Sequence, residues 1–147
     1  MYTRVFFKVL FCAVFILVQH VSFAQENQVE GMWYNQEKTA KIKIYKAKNN
    51  KYYGKIDWLE TPVKDGKERV DENNPDKSKR NDPLMGLVVL KGFVQDDDDT
   101  YEDGTIYDPK NGKTYSCIIT YKGDKLDVRG YVGFSWIGRT AVWTKVE

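Results

Sequence analysis

Residues 39–47 alternate along the chain. Ile42 and Ile44 fall on one side, Lys41 and Lys43 on the other. A period of two predicts a strand with one buried face. Residues 51–59 repeat it, with Tyr52, Gly54, Ile56 and Trp58 on one face and Tyr53, Lys55 and Asp57 on the other. Residues 29–34 (VEGMWY) make an earlier strand, and 36–38 and 48–50 supply the turns between these segments. Residues 84–90 (LMGLVVL) are continuously apolar, which predicts a strand buried on both sides, extended by 92–94 past a bulge at Gly92. After an acidic turn at 96–99, residues 100–107 resume the strand pattern. Residues 104–143 hold four short strands joined by three turns. In the first, Asp108-Pro109-Lys110-Asn111-Gly112, proline presets φ and Asn-Gly accepts the positive φ that a hairpin needs. Lys122-Gly123-Asp124 is a tight second turn, and Gly133-Phe134-Ser135 a looser third.

Eight strands result, and most connections are two to five residues long, which makes neighbours antiparallel. No predicted helix exceeds two turns, so none covers a sheet face. An open meander would leave two exposed edges, and closure removes them. The prediction is therefore an all-β chain forming one up-and-down antiparallel barrel of about eight strands. A two-layer sandwich is the rival, but it needs longer crossovers than this chain offers. The exception to the rhythm is 61–83, which carries Pro62, Pro75, Pro83, Gly66 and many charges. It reads as a long loop, with a short helical turn at 76–80 behind Pro75.

The amino terminus changes the picture. Residues 1–8 carry Arg4 and Lys8 and no acid, 9–18 are apolar, and Ser22-Phe23-Ala24 offers small residues at a cleavage site. This is the pattern of a secretory signal peptide, too short to span a bilayer easily, so the expected domains are a signal peptide at 1–24 and a barrel at 25–147. The chain is expected to be exported, to the periplasm or outside the cell, with no stable membrane insertion once the signal is cleaved. Cleavage takes two of the 23 basic residues and none of the 21 acidic ones, so the two balance. Such a balance gives no reason to expect nucleic acid or an anionic membrane surface as partner. The single histidine, His20, leaves with the signal, and Cys117 becomes the only cysteine. An internal disulfide and any nucleophile that needs histidine are thereby excluded.

The motifs Gly31-x-Trp33, Tyr53-Gly54-Lys55-Ile56, Asp71-x-Asn73-Asn74-Pro75-Asp76, Pro83-Leu84-x-Gly86-Leu87, Gly104-x-Ile106-Tyr107-Asp108-Pro109-x-Asn111-Gly112-Lys113-x-Tyr115, Leu126-x-Val128-Arg129-Gly130-Tyr131 and Gly138-Arg139-Thr140 before Trp143 occur in this order. In these the chain resembles a secreted bacterial family catalogued as domain of unknown function 2147. The resemblance implies a small exported barrel of lipocalin-like shape and brings no catalytic or ligand residues with it. Gly31-x-Trp33 and Arg139 are also similar to the lipocalin pattern of a floor tryptophan covered by an arginine. That likeness implies that Trp33 and Arg139 meet where first and last strands join, closing one end of the barrel.

Candidate chemistry is sparse. Asp71, Asn73, Asn74 and Asp76 gather oxygen-bearing side chains that suit a hard cation. Their spacing is not that of a calcium loop, and such residues more commonly bond their own backbone and pin a loop. No metal or cofactor is expected. Cys117, beside Ile118 and Ile119, reads as a small buried side chain. Most aromatics read as core, and Trp58 as interior. Three functions remain. The first is a binding barrel for a lipid, acyl or glycan-type molecule, with Trp58, Tyr53, Asn74, Asp76 and Arg129 lining or gating a pocket under the long loop. The second is an envelope interaction or stress protein with a solid barrel acting through its surface. The third is a hydrolase using carboxylates alone, from Asp57, Asp76 and Asp108. A cavity of about 300 Å³ or more would favour the first.

Overall fold

The computed structural model describes residues 28–147, so the signal-peptide reading of 1–24 lies outside the described residues. Among the described residues ten strands occur in chain order: β1 (Gly31–Tyr34), β2 (Ala40–Lys46), β3 (Tyr52–Leu59), β4 (Val63–Lys64), β5 (Lys67–Glu68), β6 (Val88–Gln95), β7 (Thr100–Asp108), β8 (Lys113–Tyr121), β9 (Lys125–Tyr131) and β10 (Arg139–Lys145). Eight of them close a barrel in the order β1-β10-β9-β8-β7-β6-β3-β2, every pair antiparallel. Consecutive barrel strands are neighbours in space, joined by short turns except for β3 and β6, which the long loop links. The seam joins β1 to β10 through Trp33 opposite Lys145 and Tyr34 opposite Thr144. No edge is left unpaired around the barrel, which is what closure achieves.

Alternation fills the inside. Ile42 and Ile44, Tyr52 and Ile56, Leu126 and Val128 are buried, while their chain neighbours are more exposed. Glycines make room where the wall is crowded. A Cβ on Gly104 would sit 2.3 Å from the Phe93 ring, so that ring lies directly over the Gly104 backbone.

Two bulges redirect side chains. Lys41 pairs with Trp58, but Ile42 pairs with Ile56, which leaves Asp57 as the extra residue on β3. The bulge turns Trp58 outward and brings Leu59 in. The expectation that Trp58 is interior therefore fails, because alternation is reset by one residue. Across β6, Gly92 takes φ 77°, and the pairing with β3 slips between Tyr52–Phe93 and Gly54–Leu90. That agrees with the expected bulge. The strand itself begins at Val88 rather than residue 84. Gly86 at φ 85° breaks the extended run, and Leu84 dips into the barrel instead.

The long loop has structure of its own. β4 and β5 pair across Asp65 and Gly66, both at positive φ. A 3₁₀ turn at Lys77–Lys79 follows Asp76, whose carboxylate accepts from the Ser78 amide. This is the short helical turn expected behind Pro75. A second 3₁₀ turn, Ser135–Ile137, sits between β9 and β10.

Candidate functional site

The turns at 47–51, 96–99 and 122–124 gather at one end of the barrel; the loops 35–39, 60–87, 109–112 and 132–138 gather at the other. The first end is solid. Trp33, Tyr52, Phe93, Tyr101, Ile119 and Leu126 are all at most 2% exposed. The Trp33 indole donates to the Val29 carbonyl at 2.8 Å, and Tyr121 meets its ring edge-on at 6.2 Å. Tyr52 and Tyr101 form a second edge-to-face pair at 5.0 Å. Burial pushes the Tyr101 phenol up to about 12, with nearby Tyr52 adding. Burial alone does the same to the Cys117 thiol. A thiol held protonated in this way is a packing group, as its sequence neighbours suggested.

The other half is hollow. A cavity of about 940 Å³ opens between the loops. Its wall is apolar: Ala40, Ile42, Ile56, Val89, Val128 and Ala141, with Trp143 and Leu84 among the lining. Its rim is polar and carries both signs of charge. Lys64, Lys67, Arg69, Lys110 and Arg139 line it, as do Glu37, Asp65, Glu68, Glu72 and Asp108. None of these five cations makes an ion pair among the described residues. Gly130 is part of the wall, and a Cβ there would meet only ordinary contacts, at 3.6 Å from Ile106 and 3.7 Å from Tyr115. The interior is therefore not solid throughout, contrary to the surface-only reading.

Asp71 ties the long loop across this mouth. It is fully buried and accepts from the Tyr107 hydroxyl at 2.7 Å and from the Asn74 amide at 2.7 Å. Burial, and then the Asp71 carboxylate it donates to, push the Tyr107 phenol up to about 12. Asn73 donates to the carbonyls of Pro109 and Lys110, both at 3.1 Å. At Gly112 a Cβ would lie 1.9 Å from the Asn73 carbonyl, and φ is 70°. Only glycine fits there, so the β7–β8 turn and the loop are pressed backbone to backbone. The oxygens of Asp71, Asn74 and Asp76 are thus spent on loop geometry. The two Ser78 donors, hydroxyl first, hold the Asp76 carboxyl below its ordinary value.

The five residues expected to line or gate the pocket do not line this cavity. Trp58 is outside, edge-on to Tyr34 at 6.2 Å, with Lys41 Nζ 5.0 Å from its ring centroid. Tyr53 stacks on Tyr45 outside and accepts from Asn49 at 2.9 Å. Asn74 faces a separate outer hollow, and Asp76 caps its exposed turn. Arg129 points outward; its Nε donates to the Ser135 carbonyl at 2.6 Å and its Nη1 to the Thr140 hydroxyl at 2.9 Å. All five lie off the inward face, and for Trp58 the bulge is the cause. Trp33 does close the floor, but without Arg139. Lys145 is the cation beside its ring, at 5.9 Å. Arg139 starts β10 opposite Gly130, about 20 Å of strand away at six residues. The barrel's shear, which motifs do not reveal, sets Lys145 at the floor and Arg139 at the mouth.

Of the three carboxylates considered for hydrolysis, only Asp108 borders the cavity; Asp57 is outside at the bulge and Asp76 caps the loop. The geometry does not bring them together. The mouth residues Lys64, Asp65, Lys67 and Glu68 were not anticipated. Asp65-Gly66 was the available signal, since a two-residue Asp-Gly turn marks a hairpin.

The solved structure of protein HP1028 from the human pathogen Helicobacter pylori, described as belonging to the lipocalin family, has the same fold. The TM-score is 0.71 at 22% identity, covering 80% of this chain and 82% of that one. At that identity the likeness establishes architecture alone. No curated protein matches the chain. The family model described as "Uncharacterized protein conserved in bacteria (DUF2147)" matches residues 31–145, and the chain belongs to that family.

Proposed function

We propose that this chain is an exported binding protein that holds one small amphipathic molecule in the open half of the barrel. The observation that carries the reading is the cavity of about 940 Å³ with an apolar wall and a charged rim. That volume lies within the range of ligand-binding pockets, roughly 300–1,000 Å³. An acyl or other apolar chain fits the wall of Ile42, Ile56, Val89 and Val128. A polar head group would meet the unpaired cations of the rim, among them Arg69 and Arg139. The closed floor limits how deep a chain reaches, and the Asp71–Tyr107 tie holds the loop in place over the mouth. A glycan fits less well, because aromatic rings suitable for stacking are mostly on the floor or outside.

The test is a titration with fatty acids, lysophospholipids and oligosaccharides, read by thermal shift and intrinsic fluorescence. Gly130→Trp fills the cavity from its wall. It is expected to weaken the best ligand by at least ~10-fold, a loss of about 1.4 kcal/mol, while the melting temperature stays near that of the parent. If no amphipathic ligand raises the melting temperature of the parent, or if Gly130→Trp binds as tightly, the reading is overturned.

A further inference from the structure

The loop at 132–138, between β9 and β10, presents an apolar tip. Val132, Phe134, Trp136 and Ile137 are 74%, 59%, 72% and 68% exposed. Phe134 and Trp136 stack face to face, with ring centroids 4.5 Å apart and planes 12° from parallel. The tip is held out by the fold. Arg129 grips the Ser135 carbonyl and the Thr140 hydroxyl from below. Gly138 packs so closely that a Cβ would sit 2.6 Å from the Gly130 carbonyl. Two successive backbone hydrogen bonds complete the turn, the Ile137 amide donating to the Phe134 carbonyl and the Gly138 amide to the Ser135 carbonyl.

Three observations say what covers it. The first is size. Four side chains at this exposure present on the order of 500 Å², below the about 800 Å² per partner of a stable protein interface. The second is charge. The loop is flanked by Arg129 and Arg139, and residues 129–139 contain no acid. Arg139 directly follows the tip and has no ion-pair partner among the described residues. This excess belongs to the loop itself, since the rim beside it carries both signs of charge. The third is position. Gly130 and Arg139, which flank the loop, both line the cavity mouth, so the tip and the opening face the same way. A tryptophan and a phenylalanine on a convex loop beside a cation are suited to the boundary between lipid head groups and acyl chains.

We infer that the 132–138 loop docks the barrel, mouth first, on an anionic phospholipid bilayer surface. The docking is peripheral: the rings enter the head-group boundary, and the barrel stays outside. It goes beyond the ligand reading, since it needs the loop and not the cavity.

The experiment is flotation of the chain from Gln25 onward, which holds every described element, with mixed phosphatidylcholine–phosphatidylglycerol vesicles. The parent is expected to float with the vesicles and to show a blue-shifted tryptophan emission. The combined variant Phe134→Ser, Trp136→Ser, Ile137→Ser is expected to lose at least ~10-fold in partitioning while melting like the parent, because the lost side chains bury little. The single variant Trp136→Ser gives a smaller loss in the same direction and serves if the combined variant does not fold. Gly130→Trp, with its cavity filled, should still float, which separates this test from that of the ligand. A parent that stays off the vesicles, or serine variants that float as well as it does, would overturn the inference. So would a parent that is dimeric in solution and becomes monomeric on these substitutions, since the tip would then seat a second copy.

Discussion

The two halves of the barrel use the same strands and the same alternation, yet one is packed and the other hollow. At the floor the inward positions hold Trp33, Tyr52, Phe93 and Tyr101. At the mouth they hold Ala40, Val89, Val128, Gly130 and Ala141. Side-chain volume makes the difference. A barrel of eight strands is just wide enough for large side chains to meet at its axis or for one small ligand to lie there. This chain does each in turn along one axis. The floor supplies the stability that lets the mouth stay open. Each fully buried large side chain contributes about 1.5–3 kcal/mol, whereas an open cavity gives up that packing.

If the comparison is right, substitutions at the floor change stability and substitutions at the mouth change binding. The largest effect is expected for Phe93→Ala. Phe93 is 1% exposed and lies against the Gly104 backbone, so its loss should cost about 3–5 kcal/mol in denaturant unfolding. A cost below about 1 kcal/mol would mean that the floor is not the packed half.

Asp71→Ala tests the tie between loop and mouth. It leaves the Tyr107 hydroxyl and the Asn74 amide without their acceptor and should cost about 1–3 kcal/mol. Proteolytic cleavage within 61–83 should quicken, while amide exchange in floor strands such as β8 stays slow. Unchanged cleavage would show that Asp71 does not hold the loop.

The smallest effect belongs to Trp58→Ala. Its ring lies outside against Tyr34 and Lys41, which gives a cost of no more than about 1 kcal/mol and no change in ligand affinity. A loss of affinity in this variant would place the binding site on the outer wall.

Much of the architecture was legible in the sequence because it follows from local rules. Ile42 and Ile44 alternate with lysines, and Asn111-Gly112 and Lys122-Gly123 supply turns, so the order and direction of the strands follow. The residues of the site were far less legible. Trp58 was misplaced because one extra residue, Asp57, inverts the faces beyond it. The lipocalin likeness sets Arg139 on Trp33 from the adjacency of the first and last strands alone, which fixes no register between them. Closing the barrel instead offsets them, and Lys145 takes that place.

Sequence by itself determined the closed antiparallel barrel, since period-two alternation, short turns and the lack of a long helix leave no other economical way to bury these faces. It also determined that Cys117 is packed, a consequence of its near neighbours. Only the tertiary structure decided where the hollow lies, which charges ring it and which tryptophans point out. Those depend on strand offset, on bulges and on the summed volume of side chains far apart in the chain. None of these quantities is written in any local stretch of residues.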